Sequence, residues 1–467
     1  MEDLDYLIDR RTFLRSAASA AAVAGLCANV AFEQPADDID QNVSRILSRI
    51  HPPQFPNASF NIEHYGASRE GKSDSRPAIA KAISECHAAG GGRVIVPSGT
   101  YLSNGPLHLL SNVNLHLEEG ATIRFGTNPK DYLPVVLVRW ESTRCYNYSP
   151  LIYANGQENI AITGAGTFDG QAQEFWGEWK SRQTPDQNLL RTMGTTMVPL
   201  EKRVFGEGHF LRPTMCEFYD CRNILLEGVT LKKSPFWTIH PVFCTNVTVR
   251  KIRVEQGTTN DDGCDPDSCR DVLIEDCTFN TADDNIAIKA GRDQDAWGDR
   301  PCENIVIRRC SSMNRAFAIG SEMSGSVRNV FLLDCTVGNV GSAAIEIKCN
   351  SDRGGAVENV WVRGLRIESC DFCVRLSTTY KGITDHPYPP QFRNFSFEDI
   401  VCRNATQVGI SSLGNAVKPI EDVHFKNVTI EKSAKDIAIA NTRGWINENV
   451  RVNGKLLERK LLSSTGA

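Results

Sequence analysis

The chain has no excess of charge of either sign: 51 lysines and arginines stand against 56 aspartates and glutamates in 467 residues, for a net charge of −5. So mixed a surface gives no whole-protein field to gather nucleic acid, which is not an expected partner; an acidic ligand would have to be held by local basic residues. Paired Cys-x-x-Cys units are also lacking. The 16 cysteines therefore do not read as a metal signature, and most are expected to pack as small hydrophobes. A long apolar run is missing too, since the one from Ala17 to Ala31 is short and rich in alanine, which favours a cleaved signal over a membrane span.

What the chain does have is a repeat. From Asn159 onward one pattern returns: Asn or Asp, an aliphatic, any residue, an aliphatic, then an apolar or small residue six positions after the first. Nine segments fit, beginning at Asn159, Asn223, Asn246, Asp271, Asn304, Asn329, Asn359, Asn394 and Asp422, with sixth positions Ala165, Val229, Ile252, Cys277, Cys310, Cys335, Leu365, Ile400 and Val428. Each alternates apolar and polar residues at the two-residue period of a strand, as in Asn304-Ile305-Val306-Ile307. Most later intervals fall in the range of a solenoid unit, too small to bury its apolar face alone. The expected fold is all-β, a single-stranded right-handed parallel β-helix with coils about 4.8 Å apart, in which Cys277, Cys310 and Cys335 form one internal ladder.

Such a solenoid must close its ends. Asp74 or Ser75 can cap a helix starting near Pro77, whose Ile79, Ala82, Ile83 and Cys86 form one apolar stripe. Gly90-Gly91-Gly92 ends it and leads into Val94-Ile95-Val96; a glycine run that precedes a strand is not a phosphate loop. Domain organisation follows: residues 1–31 as a signal, 32–58 as a linker with one short helix, and 59–467 as one β-helix domain, expected as a monomer. The signal, with Arg10-Arg11-Thr12-Phe13-Leu14-Arg15 ahead of the apolar run, resembles a twin-arginine export sequence cleaved near Ala31. Cys27 follows Leu26, where a lipid anchor would want a small residue. The mature chain is then expected off the membrane, periplasmic or extracellular, and because that route carries folded proteins its thiols can stay reduced.

Asp262 and the pair Asp283-Asp284 are separated by about one repeat, so their carboxylates are expected to stack. Three such groups on a rigid surface suit glycosidic cleavage, where one carboxyl protonates the leaving oxygen and another activates water. Packed together they cannot all ionise readily, so one proton affinity is raised. Adjacent strand residues point to opposite faces, so the backbone must turn or bulge for Asp283 and Asp284 to share one face. A competing use of the acids is calcium binding through Asp261, Asp262, Asp265 and Asp267.

Asn260-Asp261-Asp262-Gly263, Asp283-Asp284 before Ile286-Ala287-Ile288-Lys289, Ser234-Pro235-Phe236-Trp237-Thr238-Ile239-His240-Pro241 and Ile319-Gly320-Ser321-Glu322-Met323-Ser324-Gly325 together resemble family 28 of the glycoside hydrolases, the polygalacturonase family, in its bacterial form. The resemblance runs from about Phe60 to Ile430. It implies the same β-helix, Asp283 as general acid, Asp262 and Asp284 as the groups that hold and deprotonate water for inversion, and a pectic polysaccharide or oligosaccharide substrate. Asn260, Lys289, Arg292, Lys348 and Tyr380 become the expected substrate-binding residues, with no cofactor and no metal. His240 is equally readable as a packed histidine. Lys289 and Arg292 are equally readable as part of a solvated turn. Two departures stand out: the family's Gly-His-Gly stretch reads Met313-Asn314-Arg315-Ala316, with Asn314 at the histidine if no gap intervenes, and Glu346 replaces the arginine of Arg-Ile-Lys. An Asn carries no charge, and a carboxylate at Glu346 would repel a uronate. The alternatives are a calcium-dependent pectate lyase and a non-catalytic sugar-binding β-helix. Long connections at Thr127 to Ser149 and Gln171 to Phe210 would wall off one end of the groove and favour chain-end attack.

Overall fold

The computed structural model describes residues 39–460 apart from Ala316; the expected export signal lies outside the described residues. The chain divides into a short unit, Met1–Asn42, and a large one, Val43–Ala467. The large unit contains every repeat.

The repeat is a ladder of left-handed asparagines. Asn159, Asn223, Asn246, Asn304, Asn329, Asn359 and Asn394, together with Asp271 and Asp422, all have φ between 55° and 61°. Asn and Asp are the non-glycine residues that tolerate this conformation best. Their side chains also bond along the coil axis: the amide of Asn329 donates to Asn304 at 3.1 Å, Asn359 to Asn329 at 3.1 Å and Asn394 to Asn359 at 2.7 Å. One residue type thus supplies both the turn and the inter-coil bond.

Each of these residues sits near the start of a strand, as Asn159 does in Glu158–Gly164 and Asn304 in Cys302–Arg308, and the register that follows repeats from coil to coil. Ile160, Ile224, Val247, Val272, Ile305, Val330, Val360, Phe395, Val423 and Trp445 are successive parallel partners. A second column runs through Leu231, Val254, Phe279, Ser312, Val337, Ile367, Cys402 and Ile430. A third runs through Cys216, Ile239, Cys264, Ile286, Phe317, Ile345, Val374 and Ile410. The chain is a parallel β-helix, with its inward rows merged in one continuous core. Fully burying each aliphatic side chain contributes about 1.5–3 kcal/mol, so a coil is stable only when stacked on its neighbours.

Of the sixth repeat positions, Val229, Ile252, Leu365, Ile400 and Val428 are buried, as are Cys277, Cys310 and Cys335, where the Cys310 backbone N–H donates to the Cys335 sulfur at 3.3 Å. Ala165 departs from the pattern and is exposed; it sits between Gly164 and Gly166, whose backbones pack against Leu117 of the preceding coil. The 15 described cysteines are all free and buried.

The N-terminal end is closed by the helix Arg76–Ala88, which buries Ile79, Ala82, Ile83 and Cys86. Asp74 does the capping, accepting from the Arg76 N–H at 3.0 Å, while Ser75 makes no side-chain cap bond. Gly92–Val96 then opens as a strand. Residues 49–51, within the large unit, lie against the coils, Arg49 pairing with Asp271 at 2.6 Å and the His51 backbone bonding to Asn246. The two long connections pack together: the hairpin Val136–Trp140 with Thr143–Asn147 pairs in parallel with Val204–Phe205, and the second connection adds the helix Thr184–Thr195.

Candidate active site

Asp262 and Asp284 occupy equivalent places on neighbouring coils, each two residues before the paired Cys264 and Ile286. Gly263 makes the close approach possible, because a Cβ there would lie 2.4 Å from the Asn285 carbonyl oxygen and 2.4 Å from the Phe279 ring. The turn needed for Asp283 and Asp284 to share one face is present: the strand starts only at Ile286. Asp261 holds that turn. One of its oxygens accepts from the Ala282 and Asp283 N–H groups at 2.8 and 3.1 Å, the other from Gly257 at 2.6 Å.

Carboxylate oxygens of Asp262, Asp283 and Asp284 lie within 4.8 Å of one another. Asp262 and Asp284 are buried and Asp283 is half-buried. Asp283 is oriented from both sides, accepting from the Asn260 side-chain amide at 3.1 Å and from the Asp284 N–H at 2.9 Å. Asn260 is in turn fixed by Lys180 at 2.9 Å and Arg212 at 3.0 Å, both on its carbonyl oxygen, which leaves its amide group for Asp283.

Two ammonium groups answer the acidic cluster. Lys348 reaches Asp284 at 2.9 Å, and Lys289 lies 3.7 Å from Asp262. Burial opposes the charge on Lys289, but Glu322, Asp262 and Asp265 outweigh it and hold the ammonium protonated. Lys348 is held protonated in the same way, with Asp284 and Glu346 overcoming burial. Asp262 has the raised proton affinity: burial first, then Asp265 and Asp283, push it well above the ordinary carboxylate range against the pull of Lys289.

The acids that suggested a calcium site do not converge. Asp261 is spent on backbone amides, and Asp267 is buried against Arg139 at 3.1 Å and His240 at 3.5 Å. Asp265 is fully buried with neither oxygen hydrogen-bonded within the protein. His240 is a packed histidine between Asp267 and Glu217; burial works against its charge, yet those carboxylates raise it to about 9.

Lys289 and Arg292 are not a solvated turn, since both are buried or nearly so and meet Glu322 at 3.2 Å. Arg353 joins the same carboxylate at 2.7 Å, and the three cations hold Glu322 well below its usual range despite burial. Tyr380 lines the cleft with Lys348 above its ring at 5.7 Å. Glu346 projects outward in the row Ala287, Ala318, Glu346, Arg375. It is not an unpaired charge facing ligand: Lys348 at 3.2 Å and Arg375 at 3.4 Å neutralise it. Asn314 bonds to Asn280 and stays exposed. Its neighbour Arg315 reaches the turn that carries Asp283 instead, its Nε donating to the Ala282 carbonyl at 2.8 Å.

Sequence reading missed several cleft residues: Glu141, Arg191, Trp237, Glu322, Arg353 and Lys381. Trp237 and Glu322 stood inside the family-like motifs, but Glu141 and Arg191 carried no signal. They come from the two long connections and pair at 2.6 Å, with Glu141 also 3.7 Å from Arg292. The connections therefore deliver a charged wall to one side of the cleft.

The model of the family described as glycosyl hydrolases family 28 matches residues 206–450, and residues 59–118 match one described as rhamnogalacturonase A/epimerase, pectate lyase-like. An exopolygalacturonase of Thermotoga maritima shares 36% identity, with a TM-score of 0.86, over 92% of this chain and 99% of that one. A probable polygalacturonase of Vitis vinifera is 28% identical over 81% of this chain and 75% of its own length. The polygalacturonase of Erwinia carotovora, 24% identical with a TM-score of 0.64 over 86% of this chain and 98% of that one, shares the fold.

Proposed function

Since this chain belongs to glycosyl hydrolases family 28, we propose that it is an exported enzyme that hydrolyses α-glycosidic bonds of galacturonan or rhamnogalacturonan with inversion, working from a chain end. The observation that carries this reading is the grouping of three carboxylates within 4.8 Å, only one of them half-exposed. Asp283, the accessible member, is the acid that reaches the leaving oxygen. Asp284, paired with Lys348 at 2.9 Å, and Asp262 on the neighbouring coil clamp the attacking water between them. Lys348, Lys381 and Arg292 supply local positive charge for a uronate in a chain with no basic field of its own. Chain-end attack is supported by the Glu141–Arg191 wall and by the likeness to the Thermotoga maritima exopolygalacturonase.

The spacing is shorter than the roughly 6.5–9.5 Å usual between the two carboxyl groups of inverting enzymes. Two carboxylates on equivalent coil positions can nevertheless share one water while a third protonates. The anomeric outcome is therefore the decisive test. Proton NMR of defined galacturonan and rhamnogalacturonan fragments during early turnover should show a saturated product of inverted configuration released from a chain end. Retention would make one aspartate a nucleophile, and an unsaturated product would replace hydrolysis by elimination.

A further inference from the structure

We propose that a second cleft, built around Trp297, Tyr388 and Lys418, is a remote subsite for an acidic oligosaccharide stretch of the substrate; this rests on the hydrolase reading above. Trp297 and Tyr388 are 43% and 38% exposed, large rings left open to solvent. They meet edge to face with centroids 4.5 Å apart and planes at 72°. Neither ring is loose. The Trp297 indole N–H donates to the Arg353 carbonyl at 3.1 Å, and the Tyr388 backbone is bonded to Ser351 and Gly354. Exposed, pre-positioned aromatic faces of this kind suit the apolar face of a pyranose, because ordering them costs nothing further on binding.

Charge selects the sugar. Among the described residues that line the cleft, Lys418 is the one charged side chain and there is no carboxylate. Among the acids near that lining in sequence, Asp299 is paired with Arg139 and Arg144, Asp352 with His386, and Glu322 with Lys289, Arg292 and Arg353. A uronate therefore meets a cation there without opposition, in contrast to the catalytic cleft, where Glu322, Glu141 and Glu346 pair with the cations.

Continuity selects the substrate as occupant. Arg353 joins the two clefts: its guanidinium holds Glu322 in the catalytic cleft while its carbonyl holds Trp297 in this one. Gly354, next in the chain, lies against the aromatic pair, where a Cβ would meet the indole nitrogen at 3.7 Å and the Tyr388 Cβ at 3.8 Å, ordinary contact distances. Consecutive residues of one segment thus line both clefts, Arg353 the catalytic one and Gly354 and Gly355 the aromatic one.

The test compares a galacturonate dimer with a long galacturonate oligomer, in the native protein and in Trp297→Ala, Trp297→Phe and Lys418→Ala. Trp297→Ala should lower the ratio of kcat/KM for the long substrate to that for the dimer about tenfold. The loss should lie mainly in KM, with most of the ratio restored in Trp297→Phe, which keeps a ring without the N–H. Lys418→Ala should lower the ratio and weaken its dependence on salt. An unchanged ratio in Trp297→Ala, or an equal loss with no rescue by Phe, would overturn the subsite. Calorimetry with the long oligomer and Asp283→Asn separates the two readings. Absent turnover by the native enzyme sinks the hydrolase reading alone, while affinity unaffected by Trp297→Ala sinks the subsite alone.

Discussion

Asp262→Asn should make the protein more stable and nearly inactive, and the gain should depend on pH in a defined sense. Asp262 is 3% exposed, within 4.8 Å of Asp283 and Asp284, and answered by Lys289 at 3.7 Å. At an effective dielectric of about 20, two like-charge pairs at that separation cost about 7 kcal/mol and the lysine returns about 4.5 kcal/mol. The remainder, before burial is added, puts the expected gain at about 1–3 kcal/mol at neutral pH. The sign follows from the raised proton affinity of Asp262 in the fold. Its contribution is fully present below the unfolded carboxylate value of about 3.9 and is lost as pH rises through the higher folded value. Asparagine imitates the protonated form at every pH, so the advantage should be nil in acid and grow toward neutrality. Urea midpoints followed by tryptophan fluorescence across that range measure it, alongside hydrolysis. A variant no more stable than the native chain at neutral pH, or equally more stable in acid, would refute the electrostatic argument.

Asp283→Asn is expected to reduce turnover about 10²- to 10⁴-fold with the melting temperature little changed, because the amide oxygen still accepts from the Asp284 N–H; near-native rates would remove Asp283 from the acid's role. Glu346→Arg should lower kcat/KM on both galacturonan and rhamnogalacturonan, since it sets a third cation beside Lys348 and Arg375 and frees Lys348 to move from Asp284. A selective gain on galacturonan would show instead that Glu346 meets the sugar.

The fold and the acidic trio were legible in the sequence because each rests on local chemistry repeated coil after coil. Asparagine accepts a left-handed turn that other side chains resist, and its amide bonds to its own kind one coil away, so the period of Asn and Asp marks the coils directly. The alternation after each turn marks the inward rows, and the interval from Asp262 to Asp284 inherits the period. What the tertiary structure alone decided is who answers each charge. Asp261 differs from Asp262 by one position, yet it ties down backbone while its neighbour lines the cleft. Glu346 looked like a repulsive group until Arg375 of the next coil was set beside it, a pairing created by strand register. Glu141 and Arg191 come from connections outside the repeat, so no period announces them. Spacing along the chain carries the positions of a solenoid, whereas the ionisation of a buried group depends on every charge packed around it, and those are assembled only when distant segments meet.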